Sequence, residues 1–231
     1  MRICQLTSNH DFRPLHLPRV LAGDETARIN HQFFSGPAAI GGKWTPPEVC
    51  HLQPPSNSSA HCCEPCGVLD EHGTIQESQL PAGDFPHCWG LNFGVLGQRA
   101  FHVLKELIAP YVEFLPLVSH DGDFTAFKVL RFVDALDLQK SKIDWVPQRK
   151  QDNVTPRIVR EVKRFVFDEK LLVNEIIFRI PQLSTGIKVF VTEAFMQVVK
   201  AHNLTGFRFT QVWPSEDQQE VFMRKRLRKH K

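Results

Sequence analysis

The sequence predicts an α+β protein: a mostly antiparallel sheet with flanking helices, preceded by a loop- and Pro/Gly-rich N-terminal half that a zinc ion could staple. Three observations carry this. Prolines and glycines crowd the first half of the chain, two stretches of the second half have helical periodicity, and runs rich in Phe, Val and Ile alternate with turn formers. With 231 residues, 42% of them hydrophobic, the chain can bury a sizeable core. It reads as a loop-rich region over residues 1–95, an α+β domain over 96–221 and a basic tail over 222–231.

In the first region "GPAAIGGKWTPPEV", "LQPPSNSSA" and "LPAGDFPHCWG" interrupt every period, which favours short strands and wandering loops. From Gly97 the pattern changes. "GQRAFHVLKELIAPYV" sets Phe101, Leu104, Leu107, Ile108 and Tyr111 on one helical face, with Pro110 ending the helix. "VEFLPLV" and "TAFKVLRFV" then flank "SHDGDF", whose Asp121-Gly122 pair suits a tight turn between antiparallel strands. "DLQKSKIDWVPQRKQDNV" reads as a polar connector. In the next run, Thr155-Pro156 opens a helix carrying Ile158, Val159 and Val162 on one face, which turns into a strand by Lys163. "NEIIFRI" and "GIKVFV" read as strands. Thr192 is placed to accept from the first N–H groups of a helix bearing Phe195, Val198 and Val199, Gly206 turns the chain out of that helix, and Phe207, Phe209 and Trp213 anchor a last strand.

The formal charge of +3 conceals an asymmetry, because the last ten residues, "FMRKRLRKHK", hold six Lys or Arg and no acid. Without them 22 bases face 25 acids. A mildly acidic body with a basic end is not the basic stripe of a nucleic-acid binder. No apolar run approaches the ~18 residues of a membrane span, and the first residues lack the apolar segment of a secretory signal. The expected location is therefore the cytoplasm, where thiols stay reduced and six cysteines are not a disulfide framework.

Three of those cysteines fall within "HCCEPCG". Cys63 and Cys66, followed by Gly67, have the spacing at which two thiolates reach one zinc at ~2.3 Å. Cys50 and Cys88, on either flank, are the first candidates to complete the set, with His51, His61, Cys62 and His87 as alternatives. A structural zinc and a set of idle reduced thiols are the two readings of this cluster. A redox role needs a helix N-terminus that "CEPCGVLDEHG" does not offer, and zinc-dependent hydrolysis would need an open position and a carboxylate base nearby, where Glu64 and Glu71 are carboxylates too common to single out.

Other motifs give less. "GPAAIGGKWTPP" departs from a P-loop in spacing and cannot begin the required helix. His120, Asp121 and Asp123 are better explained by the hairpin turn than by a metal. No nucleophile with a base and an orienting acid emerges, so no catalytic residues are assigned. "TGFRFTQV" partly mimics the aromatic strand of RNA-recognition modules, which makes Phe207 and Phe209, with the basic tail, the alternative of an RNA- or DNA-binding surface.

The stretch from Gly186 to Trp213, "GIKVFVTEAFMQVVKAHNLTGFRFTQVW", resembles the C-terminal signature of a family of bacterial polymorphic-toxin immunity proteins: a strand, a Thr or Ser, a short helix, a "Leu-x-Gly-Phe" turn and a last strand. Phe190, Val191, Thr192, Phe195, Leu204, Gly206, Phe207, Phe209 and Trp213 occupy the matching positions. Cys63 to Gly67 is similar to one of the two motifs of the related double Cys-x-x-Cys-Gly proteins, and the second motif is absent. The resemblance implies a non-enzymatic cytoplasmic protein, active in interbacterial competition, that neutralises a cognate toxin effector domain by stoichiometric binding and occlusion of its active site or substrate groove.

Six like charges in so short a tail repel one another and bury little. Truncation after Phe222 is expected to leave the thermal melting midpoint nearly unchanged; a large drop would show that the tail docks on the acidic body.

Overall fold

Six residues at the very start of the chain, Ile3–Ser8 (β1), form an inner strand of a four-stranded sheet otherwise built from the last third of the sequence. The alternation "ICQLTS" places Cys4 and Leu6 two residues apart, and Ile3 is fully buried. The computed structural model describes residues 1–12, 15–16, 50–51, 80–89, 94–119, 122–146, 158–183 and 188–214. Cys62, Cys63, Cys66 and the basic tail lie outside the described residues, as do His120, Asp121, Thr155 and Pro156. Two compact units emerge: one from the described residues within 1–6, 130–196 and 209–231, the other from those within 7–129 and 197–208.

In the first unit β1 runs antiparallel to Val189–Thr192 (β11), from Ile3 opposite Thr192 to Leu6 opposite Val189. Ile177–Phe178 (β10) lies antiparallel on the other side of β11, and Phe207–Trp213 (β12) follows β1, giving the order β10-β11-β1-β12. Five aromatic rings meet in its core. Phe165, Phe167, Phe178, Phe190 and Trp213 gather with Ile3, Leu136, Leu172 and Ile180. Phe178 stacks on Phe190 at 5.8 Å, and Phe167 meets the edge of Trp213 at 6.2 Å. Such pairs add about 0.5–1.5 kcal/mol each beyond the area they bury.

Two expectations are corrected here. Val159–Arg164 (β9) is a strand, not a helix, and it pairs antiparallel with Lys142–Trp145 (β8), which lies inside the stretch read as a polar connector. The register slips twice, so that Lys163 and Arg160 are extra residues on β9. Each bulge breaks the two-residue alternation. Val159 and Val162, three apart, are therefore both buried, a spacing that reads as helical in the sequence.

In the second unit Gly94–Gly97 (β5) and Val112–Pro116 (β6) flank Phe124–Val129 (β7) as antiparallel neighbours. The antiparallel pairing of β6 with β7 is the one expected. Asp121 of the expected tight turn lies outside the described residues, and the Leu117 N–H donates to the Phe124 carbonyl at 3.1 Å, which leaves a connection longer than a two-residue turn. Gln98–Ile108 (α1) buries Ala100, Leu104 and Ile108, and Phe101 meets the edge of Phe114 at 5.2 Å. A small sheet is formed by Leu15–His16 (β2) between Cys50–His51 (β3), antiparallel to it, and Cys88–Trp89 (β4), parallel to it.

Glu193–Ala201 (α2) begins directly after β11, and Phe195 and Val199 are buried, as the periodicity predicts. The Thr192 hydroxyl, expected to cap this helix, instead donates to the buried carbonyl of Glu175 at 2.9 Å. The observed architecture is α+β, with mostly antiparallel sheets and two α-helices among the described residues.

Phe195, 1% exposed, packs edge-on against Phe209 at 6.2 Å, whereas Phe209 is only half-buried. Phe195→Ala should destabilise the protein by about 3–5 kcal/mol through the cavity it leaves. Phe209→Ala should cost clearly less, as read by denaturant unfolding. Equal losses would mean that Phe209 is held more tightly than its exposure indicates.

Candidate functional site

Of the residues marked by the cysteine pattern, Cys63 and Cys66 lie outside the described residues, Cys50 is placed at the start of β3, and Cys88 opens β4 with its side chain buried. Burial pushes the Cys88 thiol far above its ordinary value, and does the same more mildly for Cys4, so each stays protonated at neutral pH in the absence of a metal. Among residues whose side chains are described, no group of three or more His, Cys, Asp or Glu is arranged to hold a metal ion. Phe207 stacks on Phe85 at 4.6 Å, and Phe209 packs on Phe195, so both rings of the alternative nucleic-acid strand rest on protein aromatics.

The second unit is organised around a carboxylate. Asp84 accepts from Arg99 Nε at 2.8 Å and Nη2 at 2.6 Å, from the Thr205 backbone N–H at 2.7 Å and from the Thr205 hydroxyl at 2.9 Å. Arg99 also donates to the Asn203 carbonyl at 2.9 Å. These bonds hold the turn after α2, where Gly206 adopts φ +84° and a Cβ would come within 2.7 Å of the Phe85 carbonyl oxygen. Only glycine suits both conditions. Near this turn the Ser8 hydroxyl bonds His87 Nδ1 at 3.0 Å, and His10 faces His87 with ring centres 4.7 Å apart. Burial and the neighbouring His10 keep the His87 pKa below its ordinary value, favouring the neutral ring.

The first unit presents a different arrangement. Arg131 makes a forked pair with the buried carboxylate of Glu175, through Nε at 2.9 and 3.1 Å and through Nη2. The next residue, Phe132, forms an isolated parallel bridge with Arg179, whose guanidinium lies 4.9 Å over the Phe132 ring. Backbone bonds from Arg179 N to Arg131 O at 2.8 Å and from Val133 N to Arg179 O at 2.9 Å fix the two segments together. Leu130 and Phe132, flanking Arg131, and Leu171 and Val173, a few residues before Glu175, are exposed, Val173 by 69%. Apolar side chains beside Arg, carried on a backbone fixed by buried polar bonds, are the chemistry of a protein-binding surface.

Sequence reasoning missed Asp84, Arg99, Phe132, Arg131, Glu175 and Arg179. One signal was available: "VLRFV" and "IFRIP" each place a single Arg inside an apolar run, where an unpartnered charge would be costly. Nothing local pairs Asp84 with residues 121 positions away.

The described residues define an α+β protein with mostly antiparallel sheets. Residues 117–213 match the immunity protein family Imm11, a stretch that contains β7 to β12 and the exposed residues Leu130, Phe132, Leu171 and Val173. The match points to toxin-neutralising immunity as the class of function and accords with the resemblance seen between Gly186 and Trp213. No curated protein matches the chain. No described helix is long and apolar enough to cross a membrane.

Burial opposes ionisation of Asp84, but the bonds from Arg99 and Thr205 outweigh it and hold the carboxyl below its usual value. A depressed folded pKa contributes stability above the unfolded value of about 3.9, and that stability is lost as pH falls through the folded value. Asp84→Asn should therefore lower the melting temperature at neutral pH and flatten its fall below about pH 4. Melting curves across that range check this; an acid limb identical to wild type would remove Asp84 from the acid response.

Proposed function

We propose that this protein is an immunity protein that neutralises a cognate toxin effector domain by stoichiometric direct binding, covering the toxin's active site or substrate groove without turnover of its own. The observation that carries the reading is the family match over residues 117–213. Phe132, Val173, Leu130 and Leu171 supply exposed apolar anchors of the kind that contribute binding energy, on segments that the Arg131–Glu175 pair and the Phe132–Arg179 bridge hold in place. An interface of ordinary size buries ~1,600 Å² in total, so this face would form its centre and leave a polar rim to neighbouring residues. Outside the tail, 22 bases against 25 acids give a mildly acidic body, which suits a toxin whose groove is basic because it takes nucleic acid or nucleotides. The site of action is the producer's cytoplasm, where an arriving toxin meets its substrate.

Co-expression with the toxin encoded beside it should restore growth and give a one-to-one complex on size exclusion. Val173→Asp and Leu171→Asp should each weaken that complex at least about tenfold while the free protein keeps its melting temperature. Rescue at strongly substoichiometric levels would overturn direct neutralisation in favour of an enzyme that repairs the damage. Unchanged affinity in both variants would move the interface elsewhere while leaving the immunity reading intact.

A further inference from the structure

The β8–β9 ribbon of the first unit sets like charge against like charge. Lys142 of β8 stands opposite Arg164 of β9, and Asp144 stands opposite Glu161. Opposed residues of antiparallel strands hold their Cβ atoms about 4.5–5.5 Å apart, so a ribbon is stabilised by opposite charges there and destabilised by like ones. Two rungs of this ribbon, one basic and one acidic, go against that rule.

The core dictates the register. Ile143 stands opposite Val162 between the charged rungs, and Trp145 stands opposite Val159 beyond them. Both valines are buried in the aromatic core, and Ile143 and Trp145 pack against it. A slip of one residue would turn these side chains to solvent. Because strand residues alternate between faces, the charged rungs face outward, and Lys142, Glu161 and Arg164 are exposed. Among the described residues Lys142 has no ion pair, and Arg164 donates to the Lys140 carbonyl at 3.2 Å rather than reaching the acids. Asp144 has only Arg160, an extra residue on a bulge, at 3.7 Å, and Glu161 has no ion pair. Lys163, the other extra residue, adds an exposed cation beside the basic rung. The base of the ribbon is held firmly: the Asp137 carboxylate accepts from the Gln139 and Lys140 N–H groups at 3.1 and 3.0 Å, and the Ser141 hydroxyl accepts from the Val166 N–H at 3.0 Å.

We propose that this ribbon is a charged docking surface that sets the register of the toxin on this protein, taking acidic side chains of the toxin against Lys142 and Arg164 and a basic one against Asp144 and Glu161. Charge complementarity selects this occupant. A nucleic-acid backbone, anionic throughout, is drawn to the basic rung but repelled by the acidic one, whereas a protein segment can change sign between neighbouring positions. The right complex gives each rung the opposite charge that the free protein lacks, and a shifted one sets like against like. Such an arrangement governs specificity and association rate more than raw affinity. The inference rests on the toxin-binding reading above, but on none of the apolar residues named there.

The test uses the full chain and a catalytically inactive form of the toxin encoded beside it. Arg164→Glu and Glu161→Lys each place opposite charges across one rung, so the free variants should melt at or above the wild-type temperature. Each should nevertheless slow association with the toxin at least about tenfold and flatten its dependence on salt. Arg164→Lys, which keeps the charge, should stay close to wild type. Should Arg164→Glu loosen the turn at Lys140, Glu161→Lys decides the matter, since Glu161 has no side-chain bond to lose among the described residues. Absence of a complex with the wild type would overturn the toxin-binding reading and the inference with it. A wild-type complex whose association neither substitution alters would overturn the inference alone. So would a wild-type dimer that these substitutions dissociate, or RNA binding that Arg164→Glu abolishes and Glu161→Lys strengthens, because the rungs would then serve another partner.

Discussion

A strand from the first eight residues fills an inner place in a sheet whose other members come after residue 176, and the first unit depends on that insertion. Between β11 and β12 the chain itself supplies only a helix and a turn, so without β1 those strands would have no common neighbour. The loop closed by this pairing spans most of the protein. Its entropic cost grows only logarithmically with length, by roughly 0.6 kcal/mol per doubling, and a fully buried Ile3 among aromatic rings is a large part of what offsets it.

The same logic of distant partners governs the multiply bonded carboxylates. Asp84 and Thr205, like Arg131 and Glu175, are far apart in sequence and meet as charge-assisted, multiply bonded pairs. Neither pair is a free surface ion pair. Glu175 is buried and Asp84 accepts four bonds, so removing a partner leaves a carboxylate with its solvation only partly replaced. These pairs fix backbone: one secures the turn at Gly206, the other the bridge between Phe132 and Arg179.

That rigidity bears on function. A protein that neutralises another by covering it gains affinity when its contact residues are already held in place, since less freedom is lost on binding. Leu130, Phe132, Leu171 and Val173 are exposed on segments tied down by buried bonds, within the stretch that matches an immunity protein family. The binding reading and the fold thus draw on the same residues. Arg131 spends its guanidinium on the buried carboxylate of Glu175, and buried Arg179 stacks on the Phe132 ring.

By itself the sequence determined what depends on neighbours in the chain. The helices at 98–108 and 193–201, the antiparallel pairing of β6 with β7, the turn at Gly206 and the burial of Phe195 and Trp213 follow from period, punctuation and residue size, which act over a few residues. The family likeness rode on the same local pattern. Where a local pattern had two physical meanings it misled: Val159 and Val162, three apart, fit one face of a helix, and only pairing with β8, bulged at Arg160 and Lys163, makes them neighbours in a strand. The place of β1, the partners of Asp84 and Glu175, the donor role of Thr192 and the meeting of His10 with His87 were decided by tertiary structure alone. Each requires groups far apart in sequence to come within hydrogen-bond or packing distance, and no period or propensity encodes which distant residue will fill an inner edge or satisfy a buried charge.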